Sequence, residues 1–246
     1  MEISCGMTDG PDMEELLAHI MANASELNKD MDFRETIYVV ESPGAEDLLD
    51  GRNEGDSLVR VLKLAEIEVV YFMAINAEMF EKAFDQIETA ILNQPDLRTA
   101  MPIIHISAHG SADGIELSDG DTIYWDKLTS LLQKIHSNIG PVSLPPPLPQ
   151  DVPKISLCLS SCSAFANYKT AISRPPPLQS MVGPIRDIGW CESMLAFATF
   201  YYTTNIMRKQ FDSAVTCMNF ANGSVIGDGA IFESWNWFEQ GDDQKD

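Results

Sequence analysis

MPIIHISAHG, residues 101–110, is a short apolar, β-branched run that ends on His109-Gly110. It reads as a buried strand whose last residues meet solvent. A second run of the same kind, VPKISLCLSSCSA at 152–164, ends on Ser161-Cys162. An imidazole and a thiol, each held where a buried strand reaches the surface, are the minimal kit for a cysteine nucleophile with a proton-transferring partner. The first expectation is therefore a cysteine peptidase.

Outward from these two runs, extended and helical segments alternate. ETIYVVES (35–42) is a compact strand broken by Pro43-Gly44, and GDSLVRVLKLAE (55–66) carries Leu58, Leu62 and Ala65 on one helical face. IEVVYFMAI (67–75) repeats the strand, and AEMFEKAFDQIETAIL (77–92) repeats the helix with Phe80, Phe84, Ile87 and Ile91 in register. Pro95 and Pro102 bracket the connection to the third strand, MPIIHISAH. GIELSDGDTIYWDKL (114–128), with Asp119-Gly120 at its centre, predicts a hairpin arm, and KLTSLLQKIHSNIG (127–140) a helix closed by Gly140. The proline-rich PVSLPPPLPQDVP (141–153) predicts an extended loop before the fourth strand, KISLCLSSC. A second breaker, SRPPPL, then leads to a fifth strand, QSMVGP (179–184), and to helices in CESMLAFATFYYTTNIM and QFDSAVTCMNFA. This alternation predicts an α/β fold with a parallel or mostly parallel central sheet and helices on both faces. The expected organisation is an N-terminal helical extension over residues 1–29, one domain over 30–235 and an acidic tail over 236–246.

Composition excludes several classes. Sixteen basic against thirty-seven acidic residues give a net charge of -21, which opposes approach to nucleic acid or an anionic membrane. No apolar stretch is long enough to span a bilayer, and MEISCGMTDG lacks the features of a signal peptide, so a soluble cytoplasmic protein is expected. Five cysteines, odd in number and unevenly spaced, argue for reduced thiols rather than a disulfide framework. Cys158 and Cys162 have no second ligand pair nearby, so no metal and no cofactor are expected. GxSxG, GxxxxGK[ST] and a GxGxxG after the first strand are all missing. His105, inside the apolar run, is the rival to His109 but reads as buried, and Cys158 reads as inert core.

The order apolar strand, His-Gly, helix, apolar strand, small residue, Cys resembles the caspase-like cysteine peptidases, a superfamily that includes caspases, metacaspases, separase and the bacterial CHAT proteins. HISAHGSADGIEL (105–117) and LCLSSCSA (157–164) are most similar to the CHAT branch. The likeness continues into MVGPIRDIGWCESMLAFATFYY (181–202) and covers residues 36–222 as a pattern. The resemblance implies a three-layer caspase-like sandwich and a thiol endopeptidase that forms an acyl-enzyme without a metal. Cys162 would be the nucleophile and His109 the proton-transferring partner, with the N–H groups of Gly110 and Cys162 as the oxyanion hole. No third residue that would orient His109 stands out.

The resemblance also implies a pocket, with departures. Where caspases have Gln-Ala-Cys-x-Gly, this chain has Ser160-Ser161-Cys162-Ser163-Ala164, so Ser160 would supply a small neutral wall. Arg52, in DGRNEGDSLVRVL, resembles the caspase arginine that meets an acidic substrate side chain, whereas Asp187 and Glu192 stand where relatives cutting after Arg or Lys place acids. The balance leans to a basic residue. NYKTAISRPPPLQ (167–179) lies where relatives carry activation cleavages, which makes Lys169 and Arg174 candidate self-cleavage sites under control by processing or a partner protein. CHAT-type relatives suggest a setting in bacterial immunity, including antiviral defence, or programmed cell death. The competing expectation is a catalytically silent scaffold or sensor that binds a partner protein.

Overall fold

The computed structural model describes residues 34–142, 151–171, 177–223 and 229–236. The N-terminal helix expected within 1–29, Arg174, and the acidic tail beyond Asn236 lie outside them.

β1 (Arg34–Ser42) alternates as a two-sided buried strand must, with Ile37 and Val39 on one face and Tyr38 and Val40 on the other. It pairs in parallel with β2 (Val69–Met73) and with β3 (Ala100–Gly110). A hairpin of β4 (Gly114–Glu116) and β5 (Thr122–Tyr124) extends from the end of β3, turning at Gly120, whose φ is 91°. β6 (Ile155–Ser160) pairs in parallel with β3 and β7 (Leu178–Pro184) with β6, while β8 (Phe232–Asn236) runs antiparallel to β7. The strand order β2-β1-β3-β6-β7-β8 makes a mixed, mostly parallel sheet.

Helices cover both faces, as the alternation predicts. α1 (Ala45–Asp50) and α2 (Glu54–Leu64) follow β1, and α3 (Ala77–Leu92) follows β2. α4 (Trp125–Ile139), α5 (Ala164–Ala171), α6 (Trp190–Tyr201) and α7 (Phe211–Ala221) complete the set. α3 starts where Asn76 Oδ1 accepts the Met79 N–H at 2.9 Å. It buries Phe80, Phe84, Ile87 and Ile91 with α4 and α5 against one face. Leu58 and Leu62 of α2, Phe197 and Phe200 of α6 and Met218 of α7 close the other.

Pro102 lies inside β3, within the run MPIIHISAH read as the third strand; β6 pairs only from Ile103 onward, so the missing N–H breaks no bond on that side. Three features differ from the sequence reading. α1 was not anticipated, because six residues carry too little periodicity. α6 continues into a π-helical turn over Tyr202–Ile206. β8 takes the place of an unassigned end and is tied to α7 by buried Asn219. Its Oδ1 accepts the N–H groups of Ile231 and Phe232 at 2.8 and 3.0 Å, and its Nδ2 donates to the carbonyls of Val215 and Phe232.

On the face covered by α2, α6 and α7, three neighbouring strands turn polar at one level. The register aligns Glu41 with Ser107 and Ser107 with Ser160. His109, two residues beyond Ser107, continues on that side of β3, since side chains alternate. Among the described residues, no helix is long and apolar enough to cross a membrane.

Candidate active site

β3 and β6 are neighbours at the centre of the sheet, so their carboxyl ends open into one crevice. His109, Ser160, Ser161 and Cys162 line a cleft of about 120 Å³, closed on the far side by Trp190 and Ser193 from the start of α6. The sequence-predicted pair is thus brought to one cleft.

β6 ends at Ser160, and the chain turns through Ser161–Ser163 into α5. Ser163 takes the left-handed conformation, φ 53°, which costs a non-glycine residue about 1 kcal/mol or more. Its N–H donates to the Arg186 carbonyl at 3.1 Å and its hydroxyl to Asp187 Oδ1 at 3.2 Å, which hold the turn. The Cys162 thiol is half-buried and donates to the Ile188 carbonyl at 3.6 Å. The Cys162 N–H has no acceptor among the described residues. Gly110 is pressed against this turn: a Cβ there would lie 2.7 Å from the Cys162 carbonyl oxygen and 3.2 Å from its nitrogen.

His109 is held from the opposite side. Its Nε2 is 2.7 Å from Oδ2 of Asp47, whose side chain is 7% exposed against 43% for the imidazole. Trp190 meets the ring edge-on, with centroids 4.9 Å apart. The imidazole and the thiol face the cleft without a hydrogen bond to each other. Asp47 is the site residue that sequence reasoning missed. Nothing in SPGAEDLLDG marks it above Glu46 or Asp50; only the short helix α1 turns it inward.

Arg52 does not line the cleft. Its Nε is 3.1 Å from Asp47 Oδ1, its Nη2 is 2.9 Å from Asp50, and its backbone N–H donates to the Asp47 carbonyl. Asp187 and Glu192 are exposed and also stand outside the cleft lining. Asp187 supports the Ser161–Ser163 turn, and Glu192 accepts the Gly189 N–H at 3.0 Å at the start of α6. Ser160 does line the cleft, with its Oγ 2.5 Å from that of Ser193.

Behind Ser160 lies a carboxyl group that the sequence reading left unassigned. Glu54, the first residue of α2, is buried; it accepts from Ser107 Oγ and from Ser160. Its Oε1 has no partner among the described residues. Burial, with the Glu41 charge adding to it, pushes its pKa up to about 8 despite the two hydroxyl donors. Glu41 accepts the N–H groups of Gly55 and Asp56 at 2.7 and 2.9 Å and the Tyr71 hydroxyl at 2.6 Å, anchoring the start of α2. Burial raises its pKa as well.

The rival residues are occupied elsewhere. His105 is fully buried, with Nδ1 3.0 Å from the Tyr201 hydroxyl, and burial lowers its pKa to about 3. Cys158 is buried too, its thiol pushed up to about 12 by burial, far from a reactive thiolate. Lys169 is exposed at the end of α5, its ammonium 5.7 Å from the Phe165 ring centroid.

No protein-family model matches the chain, and no curated protein matches its sequence. What the site can do follows from its own chemistry. A half-buried thiol and an imidazole anchored on a carboxylate line one cleft, with a backbone N–H that has no acceptor among the described residues. Those are the parts of nucleophilic acyl transfer. Among the described residues, no group of three or more His, Cys, Asp or Glu side chains is gathered to hold a metal ion.

Proposed function

We propose that this chain is a cysteine endopeptidase of caspase-like type, nearest in motif to the CHAT branch, that cleaves a protein substrate after a basic residue. The observation that carries the reading is the convergence of His109 and Cys162 on one cleft from adjacent strand ends, with the free Cys162 N–H and Gly110 beside them. The thiol proton passes to His109 as the sulfur attacks the scissile carbonyl carbon. The oxygen that gains charge is met by the N–H groups of Cys162 and Gly110. As the C–N bond breaks, His109 returns that proton to the leaving amine. Water, deprotonated by His109, then hydrolyses the thioester and restores the thiol.

The lean to a basic residue finds its support in Glu54 rather than in Asp187 or Glu192. Glu54 does not itself line the cleft, but it lies behind the lining residue Ser160, so a guanidinium or ammonium bound at Ser160 and Ser193 would approach a carboxyl group whose second oxygen has no partner among the described residues. The cost of an isolated buried charge keeps this acid protonated when the site is empty, and an approaching cation would favour its ionised form. Control by a partner protein or by processing, and a role in bacterial immunity or programmed cell death, belong to the same proposal by resemblance.

The test is a peptide-library cleavage assay on the wild type, Cys162→Ala and His109→Ala. Cleavage after Arg or Lys that disappears in both variants is the expected result. Cleavage that survives Cys162→Ala refutes the mechanism, and binding without cleavage under every condition favours the scaffold reading.

A further inference from the structure

We propose that Asp47 is the positioning residue for His109: it accepts the Nε2 proton, fixes the tautomer, and leaves Nδ1 as the nitrogen that exchanges protons with Cys162 and the leaving amine. The inference rests on the peptidase reading above and assigns a role to the acid beside its imidazole.

Three contacts orient the ring. Asp47 Oδ2 lies 2.7 Å from Nε2, and Trp190 meets the ring at an interplanar angle of 69°. Gly44 leaves just enough room: a Cβ there would stand 2.8 Å from Nε2 and 3.0 Å from Asp47 Oδ2. The ring edge carrying Nε2 therefore faces Gly44 and Asp47, and Nδ1 has no hydrogen-bond partner among the described residues. A hydrogen bond at one ring nitrogen decides what the other can do.

Asp47 is itself fixed. Its side chain is nearly buried, one oxygen holding His109 and the other held by Arg52 at 3.1 Å. The Gly51 and Arg52 N–H groups both donate to its backbone carbonyl. Arg52, half exposed, thus acts through Asp47 rather than on a substrate side chain. When Nδ1 takes the thiol proton, the ring becomes an imidazolium with the carboxylate against its far nitrogen, and the ion pair stabilises that charged intermediate. The Nε2 proton stays in place throughout. The Nδ1 proton goes to the amine nitrogen as the C–N bond breaks, and the water proton follows the same route in reverse during deacylation.

The test reads the thiol directly as well as peptide cleavage. Iodoacetamide modification of Cys162, followed by mass spectrometry across pH 5–10, is compared for the wild type, His109→Ala, Asp47→Asn and Gly44→Ala. Gly44→Ala retains every charged group and its φ of -59° suits alanine, so it serves if loss of Asp47 prevents folding. The expected result is that Asp47→Asn and Gly44→Ala both shift the pH profile toward that of His109→Ala, and lower kcat/KM by about 10²-fold for all substrates. Asp47→Asn and Gly44→Ala profiles that match wild type while His109→Ala shifts would overturn the role of Asp47 alone. A wild-type profile identical to that of His109→Ala would remove the dyad and this inference with it. Arg52→Ala is expected to slow cleavage after every residue type equally; a loss confined to acidic substrates would return Arg52 to the pocket and overturn its assignment here.

Discussion

Glu54→Gln is expected to change the stability of the protein in opposite directions on the two sides of neutrality. The carboxyl group is buried and titrates near 8, against 4.5 for an ordinary glutamate. Below pH 4.5 it is protonated in both folded and unfolded chains and contributes no pH dependence. Between 4.5 and about 8 the unfolded chain ionises while the folded one does not, so stability is withdrawn progressively as pH rises through that window. Each pH unit is worth about 1.4 kcal/mol, so the withdrawal is about 3 kcal/mol at pH 7 and approaches about 5 kcal/mol above pH 8. A carboxamide removes this cost. It also places an N–H at the position of the unpartnered Oε1, which costs about 1–2 kcal/mol at every pH. The variant is therefore slightly less stable than wild type at pH 5 and more stable by about 2–3 kcal/mol at pH 8.

Urea unfolding followed by tryptophan fluorescence at pH 5 and pH 8 measures this difference. A ΔΔG that differs by less than about 1 kcal/mol between the two conditions would refute the description of Glu54 as a buried, neutral acid. The same protein tests the pocket. If Glu54 receives the substrate cation, Glu54→Gln loses cleavage after Arg and Lys while Cys162 alkylation keeps its wild-type pH profile. A more stable protein with an intact nucleophile and a lost preference is the signature of a residue kept for binding at a cost in stability.

His105 shapes the acid limb: buried neutral with its pKa lowered to about 3, it is protonated only in the unfolded chain as pH falls from 6.5, so stability drops in that window. His105→Leu is expected to flatten the pH dependence between 6.5 and 4.5 by about 3 kcal/mol in urea unfolding, and an unchanged slope would contradict this. Gly110→Ala drives a methyl group into the Cys162 carbonyl and is expected to cost about 1–3 kcal/mol and to slow cleavage at least about 10²-fold, measured by thermal melts and kcat/KM. Asn219→Ala strands the Ile231 and Phe232 N–H groups, and is expected to destabilise by about 2–4 kcal/mol with early hydrogen exchange at those amides.

Much of the architecture was legible because buried strands and amphipathic helices announce themselves by period. Phe80, Phe84, Ile87 and Ile91 fall on the buried face of α3, and the His109 and Cys162 strand ends share a cleft. What escaped had no period to reveal it. α1 is six residues long, and β8 is held by antiparallel pairing with β7 and by the amide of Asn219, neither of which leaves a period in the sequence. Asp187 and Glu192 carry the charge expected of a pocket, yet local hydrogen bonds to Ser163 and Gly189 account for them. Charge near a nucleophile in sequence is a weak guide, because an exposed carboxylate finds a backbone N–H or hydroxyl more readily than a buried site.

The connection between β1 and α2 concentrates the difference between the two levels of reading. Read as sequence, DGRNEGDSLVRVL has one conspicuous residue, Arg52, and a single function as an arginine presented to an acid. Folded, the same connection brings an acid to each of two residues that line the cleft. Asp47 turns to His109 from α1, and Glu54 enters beneath Ser160 as the first residue of α2, while Arg52 holds Asp47 in place. The strands had marked the spot, since Glu41, Ser107 and Ser160 share one register level where VVES, ISAH and CLSS leave their apolar patterns together. Three polar strand ends at one level need partners from the element covering them, and α2 starts there because Glu41 accepts its first free N–H groups. Glu54 is thereby carried into the sheet with one oxygen unsatisfied. The arrangement is unfavourable for folding at neutral pH, and under the proposed function a basic substrate side chain would be the group that relieves it.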